Sequence, residues 1–420
     1  MVRSGLGSLA LALAAVLSGR PDLLVLATPL LVLTWMSLLR RPRVVPRLDH
    51  RLLHRTLREG EGTTVRTTLM EGRDVEHMVV ALAGERFTAV RPSGGVRGIA
   101  PRGPDPARVD LAVASLRWGV RSVGAGLAVL TSSWAGFRLG PVDLRPETLT
   151  TLPAPGHYGS RAPAPHPIGL VGTNPARRTG DGSEFASIRP FYPGDRLRRV
   201  QWRVSLRTGT LHVTSTQAEE DSSILLVVDA LAELGVSGGI QGSASSLDIA
   251  VRAAGAVADH YLHRGDRVGL RVLGATRHNH VAKGAGQRQH RRVLDTLART
   301  SPGSSRTLDR RRLRFGTDAG TTVIVFSPML SEEAIATTVT LARSGLSVIV
   351  VDTVPQDLDL GEDDERVRLA WRMRAIERQT LLRRLEVAGI PVVSWRGPGT
   401  LDEVLRRLGR RAALPRMVRR

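Results

Sequence analysis

The chain has 420 residues with 60 Lys plus Arg against 39 Asp plus Glu, a formal net charge of +21. It has no cysteine, which excludes disulfides, thiolate zinc sites and thiol nucleophiles. Only one cation is a lysine, Lys283, and Gly284 follows it, so the Gly-Lys-Ser/Thr of a P-loop ATPase site is also excluded. Aromatics are 4% of the residues and scattered, unlike the interleaved stacking residues of a nucleic-acid reader, so no nucleic acid is expected as partner.

Two apolar runs, Ser4 to Ser18 and Leu23 to Leu39, flank the tight polar turn Gly19-Arg20-Pro21-Asp22. They predict a transmembrane helical hairpin over residues 1–43. A cleaved signal peptide is the alternative, and a second apolar run directly behind the first argues against it. Arg3 precedes the hairpin and Arg40, Arg41 and Arg43 follow it, while the turn's Arg20 is offset by Asp22. The positive-inside rule then places both ends, and the soluble body, on the cytoplasmic side of the cell membrane.

Residues 44–152 hold short strand-like runs at about ten-residue spacing: 63–69, 77–82, 86–90, 109–114, 116–123 and 126–132. They predict a β-sandwich-like domain with no catalytic constellation. Thr151 to Pro167 reads as a Pro/Gly linker opening a segment that runs to residue 220.

That segment contains Glu184-Phe185, Arg189, Pro193-Gly194-Asp195, Arg198-Arg199, Trp202, Ser205 and Arg207. Pro193-Gly194-Asp195 has turn chemistry. Arg198, Trp202, Ser205 and Arg207 form a cluster of fork-like donors around one large ring, suited to pairing with carboxylates or stacking. The run resembles the signature of the bacterial family catalogued as domain of unknown function 58. It departs from that pattern at Pro190, Phe191, Gln201 and Leu206. The resemblance implies a membrane-anchored protein with a von Willebrand factor A-like domain that partners MoxR-type AAA+ ATPases, without established catalysis. The signature residues, Arg189, Gly194, Asp195, Arg198, Trp202, Ser205 and Arg207, would then bind the partner or brace the domain that follows.

Residues 221–410 alternate strand and helix patterns. Strands are expected at 223–229, 267–273, 276–283, 321–327, 346–352 and 390–395. Helices are expected at 246–263, 286–299, 331–343, 365–388 and 401–408. Ser245 with Asp248, and Thr400 with Glu403, have capping-box spacing. The pattern implies an α/β fold: a doubly wound, mostly parallel sheet with Asp229 at the carboxyl end of its first strand, where such sheets bind ligands. A von Willebrand A domain carries Asp-x-Ser-x-Ser there, to supply oxygens to a divalent ion. This chain reads Asp229-Ala230-Leu231-Ala232-Glu233, and Ser327-Pro328 after the later strand, a degenerate site expected to hold no metal and no cofactor. His260 and His263 lie one helical turn apart without a third ligand, and His278-Asn279-His280 carries no nuclease context. With no P-loop and no His-Glu-x-x-His, no enzyme is expected.

The charge is concentrated late. Residues 366–420 hold fifteen arginines and four acids, whereas residues 221–365 are nearly neutral. Arg288, Arg291, Arg292, Arg299, Arg306, Arg310 to Arg312 and Arg314 form one basic stretch. The other is the tail around residues 411–420, with Arg406, Arg407 and Arg410 before it. Attraction to the anionic inner leaflet, or to an acidic partner, follows from such stretches. The expectation is a non-catalytic membrane-anchored adaptor. An extracytoplasmic envelope binding protein and a basic nucleic-acid binder are the alternatives.

Overall fold

The computed structural model describes residues 2–39, 46–70, 75–101, 106–132, 136–154, 175–192, 195, 197–219, 223–274, 280–303, 321–361 and 364–396. The side chains of 175–186 and 216–219 are outside that description. The chain forms two compact units, Met1–Leu152 and Pro153–Arg420.

The first unit opens with helices α1 (Val2–Ser18) and α2 (Asp22–Leu39). Gly19 makes the turn between them at φ +63°, a conformation without steric cost only for glycine. Arg20 pairs with Asp22 at 3.1 Å within that turn. Small residues let the helices approach: a Cβ on Gly5 would sit 3.4 Å from the Thr34 methyl, and Thr34 Oγ1 donates to Ser4 Oγ at 3.2 Å. Most of the apolar surface faces outward, with Leu17, Val25 and Leu39 among the exposed residues. α2 is long and apolar enough to cross a membrane, with mean hydropathy 1.9, and α1 is a shorter apolar helix.

Eleven strands follow: β1 (Leu48–Leu52), β2 (Thr56–Arg58), β3 (Gly62–Leu69), β4 (Val75–Leu82), β5 (Thr88–Arg91), β6 (Val96–Ile99), β7 (Ala107–Ser115), β8 (Gly119–Val123), β9 (Gly126–Ser132), β10 (Arg138–Leu144) and β11 (Glu147–Leu152). They make three sheets, ordered β1-β3-β7-β5, β10-β9-β4-β6 and β2-β11-β8. Alternating residues such as Val65, Met78, Val80, Leu111, Leu130 and Leu149 point inward from all three and share one core. The sequence reading found β3, β4, β5, β7, β8 and β9. It missed β1, β2, β6 and β10, where Arg, Pro or Gly interrupts the apolar alternation, and β11, whose Thr-rich run Glu147–Leu152 has only two leucines to mark it. Thr151 and Leu152 lie in β11, so the expected linker begins later; residues 155–174 lie outside the described residues.

The second unit begins with β12 (Pro175–Pro190), paired antiparallel to β13 (His212–Glu219). Between them, a single 3-10 turn at Leu197–Arg199 leads into helix α3 (Trp202–Thr208). A six-stranded sheet is then built from β14 (Ser223–Asp229), β15 (Arg267–Leu273), β16 (His280–Gly284), β17 (Thr322–Ser327), β18 (Ser347–Asp352) and β19 (Val392–Ser394). The order is β16-β15-β14-β17-β18-β19, and every pairing is parallel except that of β16.

Helices α4 (Ser246–His263), α5 (Gly286–Ala298), α6 (Glu332–Arg343) and α7 (Glu365–Val387) connect the strands. Leu225, Val227, Val323, Val325, Val348 and Val350 turn one face of the sheet to Ala334 and Leu341 of α6 and Leu385 of α7. The intervening residues, Leu226, Val228, Ile324 and Ile349, are fully buried on the opposite face. α4 starts on the expected capping box, in which Ser245 Oγ accepts the Asp248 amide and Asp248 accepts the Ser245 amide. The capping box expected at Thr400, the helix at 401–408 and the basic tail lie outside the described residues, as do Arg40, Arg41, Arg43, Arg306, Arg310 to Arg312 and Arg314.

Candidate functional site

β14 sits at the centre of the sheet, with β15 on one side and β17 on the other. The chain therefore leaves its carboxyl end in opposite directions, which opens a crevice at that point. Asp229 ends β14 there and is 1% exposed. Its Oδ1 accepts the Leu231 amide at 3.0 Å, and its Oδ2 accepts the Ser327 hydroxyl at 2.6 Å. Burial pushes the carboxyl above its ordinary value and Glu333 adds to that push, while Ser327, the Leu231 amide and Ser331 oppose it.

Ser327, at the end of β17, also accepts the Met329 amide at 2.8 Å. Met329 stands at φ +50°, an uncommon conformation for a non-glycine residue. α7 holds the same loop from outside. Arg378 Nε donates to the Pro328 carbonyl at 2.6 Å, and Arg374 Nη2 to the Leu330 carbonyl at 3.0 Å. Arg378 also pairs with Asp352 at the end of β18, both side chains being largely buried. Ser331 closes the loop as the N-cap of α6. The loop from Ser327 to Ser331 is thus bound at nearly every residue, by β14 on one side and α7 on the other.

These residues do not fit a divalent ion. Leu231 occupies the position of the first hydroxyl ligand and its side chain packs into the core. Glu233 turns away to accept the Ser245 hydroxyl at 2.5 Å, beside the start of α4. Asp229 is left with one carboxylate whose oxygens already accept two internal donors, whereas hard cations require six or more oxygens. Among the described residues, no three His, Cys, Asp or Glu side chains gather as a metal site.

The signature residues divide into two groups. Arg189, in β12, makes a two-pronged contact with Asp195, both distances 2.7 Å. Asp195 also accepts the Tyr192 amide at 2.9 Å and returns its own amide to the Tyr192 carbonyl at 3.0 Å, which closes the turn. The Arg189 guanidinium, with help from the Tyr192 amide, holds the Asp195 carboxyl below its usual range. Gly194 lies outside the described residues. Ser205 is buried beneath α3, where its hydroxyl donates to the Gln201 carbonyl at 2.8 Å and accepts the His212 amide at 2.9 Å. It ties α3 to β13.

The other group faces solvent. Trp202 is 61% exposed and Leu206 82% exposed, and Arg198 and Arg207 are exposed as well. The expected cluster is therefore corrected: the carboxylate pairs with Arg189, not with Arg198 or Arg207, and Ser205 points away from Trp202's exposed side. The sequence reading did not find α3. It is seven residues long, has no side-chain N-cap, and stops at Gly209 in the left-handed conformation. The two histidines one turn apart on α4 have separate partners. His260 meets Tyr261 edge-on, while His263 and His290 of α5 share the Asp259 carboxylate at 3.2 and 3.0 Å. His278 and Asn279 lie outside the described residues.

Residues 187–369, from β12 into the first turns of α7, match the family model described as "Protein of unknown function DUF58". The segment similar to DUF58 covers less than half of the chain. It therefore includes the Arg189–Asp195 turn, α3, Asp229 and the Ser327 loop. Uncharacterized proteins of Mycobacterium tuberculosis and Mycobacterium bovis are each 31% identical to this chain over 119 residues, which is 28% of this chain. The chain spans 37% of the length of these curated relatives.

Proposed function

We propose that the chain is a non-catalytic, membrane-anchored adaptor. Its second unit, read as von Willebrand A-like, engages a MoxR-type AAA+ ATPase or that ATPase's client on the cytoplasmic side. One observation carries this reading: the carboxylate at the switch point of the sheet is committed to holding a loop. Each oxygen of Asp229 already accepts an internal donor, Leu231 or Ser327, and the group is 1% exposed, which leaves little of it open to a substrate or a metal. The von Willebrand A reading is supported by the doubly wound order of the sheet, with Asp229 ending its central strand. Anchoring is supported by the exposed apolar surface of α1 and α2, and sidedness by the arginines at both ends of the hairpin.

Two measurements test the proposal. A cytoplasm-active reporter fused to the C-terminus is expected to be active, and a periplasm-active one silent. The reverse pattern would establish the extracytoplasmic alternative. Calorimetric titration of the detergent-solubilised chain with Mg²⁺ or Mn²⁺ is expected to show no site. Micromolar binding that disappears in Asp229→Ala would contradict the adaptor reading of this edge.

A further inference from the structure

α3 sits at the centre of the signature, and Ser205 fixes its rotation. The hydroxyl accepts the His212 amide and donates to Gln201, so this side of the helix faces β13. At about 100° per residue, Trp202 and Leu206 lie about 40° apart on one flank, and Arg203 and Arg207 follow on the outer face. All four are exposed. Leu197, in the preceding 3-10 turn, is 69% exposed, and Arg198 stands beside it. From Arg196 to Gln217 the sequence holds five arginines and no carboxylate.

We infer that this face is a docking surface for an acidic protein partner. The partner would present an apolar pocket for Trp202 and Leu206, rimmed by carboxylates that meet Arg198, Arg203 and Arg207. Charge complementarity fixes the sign of the partner, because this stretch supplies only positive charge. Tryptophan and arginine in one small cluster make the usual composition of a binding hot spot. The same chemistry suits a membrane less well. Surface insertion strengthens with buried apolar area, and three apolar side chains on two helical turns supply little of it. The arginines also lie beside the apolar pair instead of forming an opposite face. The inference rests on the adaptor reading and adds to it the surface used and the chemistry it selects.

The test places a photo-reactive benzophenone amino acid at position 206 of the full-length chain in native membranes, with a control at the exposed Thr340 of α6. The expected product is a protease-sensitive protein adduct at 206 and not at 340, with the cross-linked partner peptide rich in Asp and Glu. Its yield should fall about fivefold or more in the Arg203→Glu/Arg207→Glu variant and at high salt. Both arginines are exposed, and a circular dichroism spectrum matching the parent checks that the variant folds. Trp202→Ala provides a second variant that alters no charge and should lower the yield as well. Four outcomes would overturn the surface: an adduct with lipid alone, an adduct only with a second copy of this chain, equal yield at both positions, or a yield indifferent to charge reversal. An AAA+ ATPase that co-purifies while position 206 captures nothing would leave the adaptor reading intact and remove this surface. An acidic partner of another class would do the opposite.

Discussion

Replacing Ser327 with alanine tests the reasoning about the sheet edge most sharply. One hydroxyl makes two contacts, donating to Asp229 Oδ2 at 2.6 Å and accepting the Met329 amide at 2.8 Å. A hydrogen bond between neutral groups contributes about 1 kcal/mol, and one to a charged group about 1.5–3 kcal/mol. The loss is therefore about 3 kcal/mol where Asp229 is ionised, and about 2 kcal/mol where it is protonated. The larger value corresponds to roughly a hundredfold increase in the local opening constant, since about 1.4 kcal/mol is a factor of ten. Hydrogen exchange across Thr322 to Leu330 in the detergent-solubilised chain reads that opening without requiring the whole protein to unfold in one step.

The sign with pH is also fixed. Ser327 stabilises the ionised form of Asp229, so its removal raises the carboxyl further above its ordinary value. Between the ordinary carboxylate value, about 4, and the raised folded value, the unfolded carboxyl is ionised while the folded one still holds its proton, so stability declines as pH rises through that window. The decline should extend to higher pH in Ser327→Ala than in the parent. Exchange rates within about threefold of the parent, with an unchanged pH profile, would refute the description of Ser327 as the tie between β14 and the loop.

Other expectations follow from the same contacts. Asp229→Asn keeps the shape of the side chain and removes the titration, so its stability relative to the parent should rise as pH increases from about 4, as read by thermal unfolding at several pH values. Arg378→Met strands the buried Asp352 carboxylate and frees the Pro328 carbonyl; a loss of about 3–5 kcal/mol is expected, largely recovered in Arg378→Met/Asp352→Asn. Asp195→Asn should speed exchange of the Tyr192 amide at neutral pH. Because Asp195 is held below its usual range, the difference should vanish as pH falls through that lowered value, where the parent loses its contact with Arg189 too.

Much of the second unit was legible because its strands are continuous apolar runs and its helices carry caps and breakers. Ser223 to Asp229 reads as a buried parallel strand from composition alone, and Ser245 with Asp248 marks the start of α4. The position of Asp229 follows from the same alternation. Its partners do not: Ser327 is 98 residues away, and Arg378 reaches the Ser327 loop from a helix later still. Local spacing carries no record of such contacts. Arg189 and Asp195 were both singled out, but pairing them required the turn to bring β12 back on itself. α3 was hidden for a physical reason. Val200 to Arg207 mixes β-branched, aromatic and basic residues without a capping signal, and the helix is held by the Ser205 tie to β13 rather than by propensity.

The central claim is that this chain anchors a partner at the membrane without performing chemistry of its own. Affinity purification of the full-length chain from detergent-solubilised native membranes, followed by quantitative mass spectrometry, tests it most directly. A MoxR-type AAA+ ATPase is expected among the enriched proteins, at undiminished yield when Asp229→Asn is the bait. Absence of any AAA+ protein, or its loss on that substitution, would contradict the account.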